Sequence, residues 1–568
     1  MRLKASTQKK LRYGGTSAAL TALIMAAIIV INVIFSLCVE RFSWYIDLTP
    51  DLHFTISEEC FELLGAKADD DTLTPIEMLD KFRADNKAYN TEHSLTPDSE
   101  EYRDENVKVT ILFGMESDQL IADEITNYVY RNAMEIQQRF PDYVSVECVD
   151  GKRNPSRFTK YLSSNTESIA LDSVIVECGT EFRIRSLRSF YVFVDDETPY
   201  AYNGEKAFAS SILAVTRAEA PLACYTVNHG EKFPSTVKEG ADTAFVPFIA
   251  TLQDAGYVAQ PIDLSKEEIP EACRILIVFD PKQDFLNGKD GVTKESELDK
   301  LDAFLADRNS LFVFMNPDSY TGRLENFEEF LEEWGLGLKR DGNDPYLIRD
   351  PAQSIMGNSS AVVGSYMNNP LAQGWTEAMR SGASAPKVVF QNATALSYPT
   401  SYIPIEDTNE DGSKFMVHLN ATYGRTVFDL FTTGEDAEAY AGDRNVASAT
   451  STEPFRLMSV SVETHTEQEY LSSLEDSAFV MLCGSTDFAN DAYLTSNTYG
   501  NSDLLLSALQ MAGREPVPVG LKFKEFANYE IDTVTTEAAT QYTVVLTLVP
   551  ILASLCAGVF VIVRRKNR

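Results

Sequence analysis

The segment RILIVFDP, residues 274–281, joins an unbroken apolar run to a polar turn. The same pattern occurs in LACYTVNHGE at 222–231, LFVFMNPD at 311–318 and FVMLCGSTD at 479–487. Strands without polar alternation are typical of parallel sheets that helices cover on both faces. The four segments therefore predict one parallel sheet, with strands at 222–227, 274–279, 311–315 and 479–483.

Amphipathic helical patterns lie between these strands. Leu298, Leu301 and Leu305 recur at a helical spacing within 295–308. Glycine follows two further helical patterns, at 243–255 and 325–334, and glycine commonly ends a helix. Alternating strands and helices predict a large α/β unit at 207–515. Residues 340–475 within it are rich in Ser, Thr, Asn, Gly and Ala, and we expect a β-rich elaboration with long loops at 340–375 and 433–452.

The polar turns after the four strands form the only candidate site in the sequence. In parallel sheets, ligands bind outside the carboxyl ends of the strands. We predict ligand contacts by six side chains, namely His229, Glu231, Asp280, Asn316, Asp318 and Asp487. The alternative is that these residues form ordinary turns and helix caps.

No catalytic residue, cofactor or metal ligand is predicted. The sequence contains no GxSxG motif of the kind that nucleophilic hydrolases carry. It also contains no Walker motif, GxGxxG loop, CxxC pair or HExxH pair. Five cysteines lie in or beside predicted strands, which indicates buried structural thiols: Cys148, Cys178, Cys224, Cys273 and Cys483. Six cysteines lie outside the long apolar runs, and the sequence leaves their disulfide state open.

A small α/β unit is predicted at 107–195. The strand VKVTILF at 107–113 precedes a helix with Ile121, Ile125 and Val129 on one face. Strands at 144–149, 171–178 and 181–187, with a short helix near 158–162, complete the order βαβαββ. That order resembles the thioredoxin-like arrangement, although no CxxC follows the first strand.

The segment at 40–106 connects this unit to the amino-terminal apolar run. Ser57 followed by Glu58 and Glu59 predicts a helix start with Ser57 as N-cap. Residues 66–106 carry twelve acidic and five basic side chains without apolar periodicity. We predict a solvated, partly flexible insertion there. A linker is predicted at 516–541.

Charge is distributed unevenly along the 568 residues. The chain has 49 basic and 84 acidic residues, a net charge of −35, which argues against nucleic-acid binding. The tails at 1–17 and 564–568 hold nine of the basic residues and no acid, so the remainder carries −44. Each tail adjoins a 22-residue uncharged apolar run, at 18–39 and 542–563, long enough to span a bilayer as a helix.

These ends predict a two-pass membrane protein. Basic flanks stay in the cytoplasm, so both termini are expected there and residues 40–541 outside. An uncleaved first span is favoured over a signal peptide, because the apolar run exceeds an ordinary signal core. Small or polar residues predict helix contacts within the bilayer, at Ala22, Ala26 and Asn32 in the first run and at Ser554 and Gly558 in the second.

Several of these segments together resemble the GldG family of gliding-motility-type auxiliary subunits of bacterial ABC transport systems. The resemblance begins with Asp47-Leu48-Thr49 and Phe54-Thr55-Ile56-Ser57, continues through 226–231, 275–281, 295–305, 311–318 and 484–488, and ends at the carboxyl-terminal span. It covers most of the chain in order and spacing. The departures are the acidic insertion and Asn228, where a glycine or serine is expected.

The resemblance implies a non-enzymatic subunit that works with a separate ABC permease and ATPase in the lipid bilayer. It also implies an amidotransferase-like fold for the large unit, between the two transmembrane helices. A small ligand or an envelope polymer would bind the outer body. The alternatives are an extracytoplasmic envelope-processing enzyme and a structural envelope protein that binds other proteins.

Overall fold

A computed structural model of the chain describes residues 23, 25–31, 33, 55–65, 74–99, 101–162, 169–193, 199–217, 221–231, 246–288, 296–319, 322–377, 379, 385–409, 412–450, 453–464, 477–496, 498–513 and 517–526. Met1–Lys524 form one unit, which contains both predicted α/β units. Glu525–Arg568 form a second, of which only residues 525 and 526 are described.

Two helices precede the small α/β unit. In α1 (Glu58–Gly65) the Cys60 N–H donates to Ser57 Oγ at 3.3 Å, which confirms the predicted N-cap. The prediction for 66–106 is wrong in part, because α2 (Pro75–Glu92) occupies much of it. Thr74 and Glu77 form a capping box there, with reciprocal side-chain to backbone hydrogen bonds. This local signal outweighs the weak apolar periodicity.

The small α/β unit is a four-stranded sheet with helices. Its strands are β1 (Val109–Phe113), β2 (Val144–Cys148), β3 (Ser173–Cys178) and β4 (Glu181–Ser186), and α3 (Ser117–Ala122) and α4 (Glu124–Arg139) join β1 to β2. The spatial order is β2-β1-β3-β4, with β1 and β2 parallel and the other pairs antiparallel. The short helix predicted near 158–162 is instead two 3₁₀ turns, Pro155–Arg157 and Thr159–Tyr161.

A buried helix links the small unit to the large one. After β5 (Tyr191–Phe193) and β6 (Pro199–Tyr202), all thirteen residues of α5 (Gly204–Thr216) are buried. Arg185 of β4 donates to Ser211 Oγ of α5 at 2.7 Å and pairs with Asp254 Oδ1 at 3.0 Å. Asp254 ends the first helix of the large unit, so one guanidinium connects three elements.

The large α/β unit contains five parallel strands, which confirm the four predicted ones and add an unpredicted strand at 258–262. These are β7 (Leu222–Thr226), β8 (Val258–Ile262), β9 (Cys273–Phe279), β10 (Ser310–Phe314) and, far downstream, β26 (Ser477–Cys483). They stand in the order β26-β10-β9-β7-β8, and every neighbouring pair is parallel. The helices are α6 (Val246–Asp254), α7 (Glu297–Ala306), α8 (Glu325–Glu333), α9 (Pro370–Thr376), α10 (Asp491–Leu494) and α11 (Asn501–Gly513).

Residues 340–475 add strands, as predicted, but the two long loops predicted at 340–375 and 433–452 also contain short strands. The elements in chain order are β11 (Gly337–Leu338), β12 (Arg340–Asp341), β13 (Asp344–Pro345), β14 (Leu347–Arg349), β15 (Ser354–Ile355), β16 (Asn358–Val363), β17 (Ser365–Tyr366), β18 (Val389–Gln391), β19 (Leu396–Ser397), β20 (Ile403–Thr408), β21 (Lys414–Asn420), β22 (Arg425–Thr432), β23 (Glu438–Tyr440), β24 (Ala449–Thr450) and β25 (Arg456–Thr464). The last strand of the chain is β27 (Lys524–Glu525), in one sheet with β6 and β5.

Antiparallel strands extend the parallel sheet. β25 pairs antiparallel with β26, and β22, β21 and β20 follow outward in that order. The smaller sheets are β12-β13, β14-β23-β24 and β15-β16-β18. The architecture is therefore mixed α/β, with a parallel centre and an antiparallel wing.

The core lies on both faces of this sheet, as continuous apolar strands require. Along β9, Ile275, Ile277 and Phe279 belong to one apolar cluster, and Leu276 and Val278 belong to the other. Alternation with a period of two sends successive side chains to opposite faces. The six cysteines outside the apolar runs are free, and burial raises the pKa of Cys483 to about 12.

The predicted membrane spans lie mostly outside the described residues. Residues 23, 25–31 and 33 are helical, and their apolar side chains are exposed, Ala26 among the described positions. Ala22 and Asn32, the whole run at 542–563 with Ser554 and Gly558, and both basic tails are not among the residues described. Within the described ranges, no helix is both long and apolar enough to cross a bilayer.

Candidate functional site

The carboxyl ends of the parallel strands form one edge of the large sheet, and the predicted polar turns lie along it. The chain leaves β7 for β8 on one side and leaves β9 for β10 on the other. This reversal between β7 and β9 is a topological switch point, where open α/β sheets bind ligands. The turns at 227–231 and 280–283 flank it.

His229 lies buried at this switch point between two carboxylates. The residue is 2% exposed, and its Nε2 lies 2.9 Å from Glu297 Oε2 and its Nδ1 3.2 Å from Glu231 Oε1. Its ring stacks on Phe285 with centroids 3.6 Å apart. Burial lowers the pKa of His229, but the hydrogen bonds to Glu231 and Glu297 raise it to about 9. At neutral pH the imidazolium therefore donates to both carboxylates.

Glu297 is the centre of this cluster, and the sequence did not identify it. It lies in the first turn of α7, where Ser296 Oγ caps the helix by accepting from the Asp299 N–H. Its carboxylate accepts from Asn228 Nδ2 at 2.7 Å and from the Leu286 N–H at 2.8 Å. Burial raises the pKa of Glu297, but hydrogen bonds from His229 and the Leu286 amide bring it below its ordinary value. We call His229, Glu231, Glu297 and Asn228 the imidazolium cluster.

Asp280 stands beside this cluster in an unusual backbone conformation. It is fully buried with a φ of 55°, a left-handed conformation that aspartate tolerates better than most residues. Lys282 Nζ lies 3.4 Å from Asp280 Oδ2. The Lys282 and Gln283 N–H groups donate to the His229 carbonyl at 2.7 and 2.9 Å. The chain's own backbone thus joins the two turns at the switch point.

The other predicted residues lie further along the edge. Asp318 forms an ion pair with Arg444, and its N–H donates to Asn316 Oδ1 at 3.3 Å. Asp487 Oδ2 accepts from Asn392 Nδ2 at 2.6 Å. The structure therefore brings His229 and Glu231 together and places Asn316 beside Asp318. Each predicted residue has a polar partner within the chain.

A second buried polar cluster joins the two ends of the described body. Glu205 is 4% exposed, and its carboxylate accepts from the Ser57 N–H at 3.2 Å and from Ser57 Oγ at 2.5 Å. Lys524 Nζ lies 2.5 Å from Glu205 Oε1 and also donates to the Thr55 carbonyl. We call Thr55, Ser57, Glu205 and Lys524 the tether clasp. Its members are far apart in the chain, so no local sequence pattern predicts it.

The described residues carry no group of three or more His, Cys, Asp or Glu side chains that could hold a metal ion. The carboxylates of the imidazolium cluster face a protonated histidine and backbone amides instead. This arrangement stabilises the local fold through charge-assisted hydrogen bonds.

The imidazolium cluster predicts a stability maximum between two pH limits. The pKa of His229 is about 9 in the folded chain against 6.5 for an ordinary histidine, so its contribution is complete below 6.5 and is lost as pH rises through 9. The pKa of Glu297 is lowered, so its contribution is present above 4.5 and is lost as pH falls through the folded value. From pH 7 to pH 10 we expect a loss of about 2–3 kcal/mol from this cluster.

The measurement is urea unfolding of the full chain in detergent, followed by tryptophan fluorescence in a Trp44→Phe background. Trp334 and Trp375 are then the only tryptophans, and both are buried in the large unit. The same titration of His229→Gln is the control, because it lacks the ionisable ring. Equal losses in both proteins would contradict the assignment.

Comparisons with known proteins identify no family. No family model matches the chain, and no curated protein matches it. Among solved structures, one described as the mmIFT52 N-terminal domain is 15% identical, covering 51% of this chain and 97% of its own, with a TM-score of 0.33. A ThuA-like protein from Bacteroides uniformis is 14% identical, covering 52% and 93%, with a TM-score of 0.29. An alpha-L-fucosidase from Paenibacillus thiaminolyticus is 11% identical, covering 56% and 36%, with a TM-score of 0.27. Similarity at this level carries no functional argument.

Proposed function

We propose that this chain is a membrane-anchored auxiliary subunit of a bacterial ABC-type transport system, of the GldG type. Its termini lie in the cytoplasm and residues 40–541 lie outside. The two apolar runs and the nine basic residues of the tails support this topology. The net charge of −44 between them also fits a body that stays on the outer side.

The observation that carries the proposal is the tether clasp. Fifteen residues, 40–54, separate Thr55 from the first apolar run, and seventeen, 525–541, separate Lys524 from the second. Glu205 holds Ser57 and Lys524 together in the described body. A fully extended chain covers at most about 3.3–3.6 Å per residue, so the segments 40–54 and 525–541 can each span at most about 50–60 Å. A folded body whose two ends are held together by one buried carboxylate is suited to two anchors in one membrane.

We also propose a thioredoxin-like fold for the small unit and an amidotransferase-like fold for the large unit. The order β2-β1-β3-β4, with one parallel and two antiparallel pairings, supports a thioredoxin-like small unit. The switch point between β7 and β9, followed by an antiparallel wing, supports an amidotransferase-like large unit with a β-rich elaboration.

The role we assign to the outer body is binding without catalysis. A general base needs a free nitrogen, and both ring nitrogens of His229 are engaged by Glu231 and Glu297. Asp318 and Asp487 lie at partly exposed positions of the sheet edge, where a small ligand or an envelope polymer would compete with Arg444 and Asn392.

The topology predicts one-sided labelling of an introduced cysteine. Met356 is 98% exposed, and Met356→Cys should react with a membrane-impermeant maleimide in cells whose envelope is permeabilised only to the outer face of the inner membrane. Ser6→Cys in the basic tail should react only after the inner membrane is lysed. Mass shifts of the full-length chain report both reactions.

The labelling has a built-in control, because the six natural cysteines outside the apolar runs are buried or half-buried. The unsubstituted protein sets their background. Labelling of Met356→Cys only after lysis would reverse the proposed orientation.

The partners are tested by purification of the full chain in mild detergent. We expect an ABC ATPase and its permease to be recovered in fixed proportion. Their absence, under conditions that keep other transporters of the same membrane intact, would contradict the auxiliary role.

A further inference from the structure

The outer end of the antiparallel wing is an exposed hairpin. β20 is the last strand of the large sheet and pairs only with β21 among the described strands, and all six residues of β20 are exposed. We call β20 and β21 together the wing hairpin. Three large apolar side chains of this hairpin are exposed, namely Ile403, Ile405 and Met416.

One face of the wing hairpin is apolar along its length. In the antiparallel register, Ile403 lies opposite Leu419 and Ile405 lies opposite Val417. Directly opposed residues project to the same face, and so do residues two apart on one strand. Phe415, opposite Asp407, extends this face toward the hairpin turn. Ile403 is 65% and Ile405 39% exposed, and the three apolar residues of β21 on this face are half-buried.

A single carboxylate marks the outer end of the apolar face. Asp407 Oδ1 accepts the N–H of the next residue, Thr408, at 2.8 Å, and no cation among the described residues pairs with it. Glu406 points to the opposite face and is paired with Lys414. An apolar surface that ends in an unneutralised carboxylate complements an apolar segment with a flanking cation.

We propose that the apolar face of the wing hairpin binds a protein segment that has apolar side chains next to a lysine or arginine. Ile403 and Ile405 supply the apolar contact, and Asp407 pairs with the cation. This inference rests on the proposed function in one respect, since it places the segment on the outer side of the permease. It adds the surface and the chemistry of that contact.

Other occupants are less suited to this face. A second copy of the chain, with net charge −35, would present the same face with another Asp407, because Lys414 lies on the opposite face and is paired with Glu406. An anionic lipid surface would repel Asp407. Addition of a strand to the edge of β20 is hindered by Pro404, which lacks an N–H for a sheet ladder.

The test is site-specific photocrosslinking in cells that express the full chain. A benzophenone amino acid replaces Ile403, and a second protein carries it at Met356, which is more exposed, at 98% against 65%, and lies outside the hairpin. We expect an adduct from position 403 on an extracytoplasmic permease segment with apolar and basic residues. Asp407→Lys in the same chain should reduce this adduct about tenfold, as expected when an attractive pair becomes repulsive.

Four results would overturn the proposal: no adduct above the Met356 control, an adduct with a second copy, an adduct with lipid, or an adduct that Asp407→Lys leaves unchanged. Purification of the same strains keeps the two hypotheses apart. Recovery of ATPase and permease without an adduct rejects only the wing hairpin as the contact. Failure to recover them rejects the proposed function itself.

Discussion

Replacing His229 with alanine is expected to lower the free energy of unfolding of the large α/β unit by about 3–5 kcal/mol. The substitution removes the one cation between Glu231 and Glu297, both of which are inaccessible to solvent. Two buried carboxylates would then repel each other and one would have to bind a proton. Loss of the stacking contact with Phe285 adds to the effect.

The measurement is again urea unfolding of the full chain in detergent, with Trp334 and Trp375 as reporters. A shape-conserving replacement separates charge from packing. His229→Phe combined with Glu231→Gln and Glu297→Gln removes all three charges, and it should recover most of the lost stability, since apolar or neutral groups commonly replace buried ion pairs at little cost. A loss below about 1 kcal/mol for His229→Ala would show that the cluster contributes no more than a surface pair.

The parallel centre of the fold was predictable because its signals are local. An apolar run such as 274–279 reports burial on both faces, and its polar turn reports the strand end. Helix starts at Ser57 and near Glu297 follow from capping chemistry within four residues. The capping box at Thr74 and Glu77 is an equally local signal for a helix. The many charged residues around it nevertheless favour the prediction of an unstructured segment.

Local sequence signals do not predict which side chains pair with each other at the candidate site. His229 and Glu297 are 68 residues apart, and Asp318 and Arg444 are 126 residues apart. Which acid meets which base depends on the strand order, and the order β26-β10-β9-β7-β8 places the last parallel strand next to β10. Polar turns were thus correctly located on one edge, but their engagement with each other was visible only after folding.

The tether clasp could not be predicted for the same reason, and its members have the largest sequence separation of these pairs. Lys524 and Thr55 are 469 residues apart, and both were assigned to connecting segments. Nothing in either segment marks a buried ion pair. The closure of the chain on itself near its two exits nevertheless determines how the proposed anchors would act on the body.

Replacing Glu205 with alanine is therefore expected to loosen both ends of the folded body, residues 55–65 and 517–524, at once. Glu205→Ala leaves Lys524 without its carboxylate and leaves the Ser57 N–H and hydroxyl without their acceptor. Loss of one partner of a buried, hydrogen-bonded ion pair costs about 3–5 kcal/mol. Because the cluster lies at the ends of the described body, we expect this loss to appear mainly as local opening of residues 55–65 and 517–524.

Hydrogen–deuterium exchange of the full chain in detergent measures this opening directly. Exchange in α1 and near Lys524 should increase by a factor of about 100 or more, which corresponds to 3 kcal/mol, while β9 and β10 keep their protection. Glu58→Ala is the matched control on the same helix: its exposed pair with Arg139 at 3.1 Å should contribute less than about 1 kcal/mol. Unchanged exchange at both exits in Glu205→Ala would mean that other contacts, such as the Ile56 N–H bond to Glu135, hold the segment, and the two anchors would then act on the body independently.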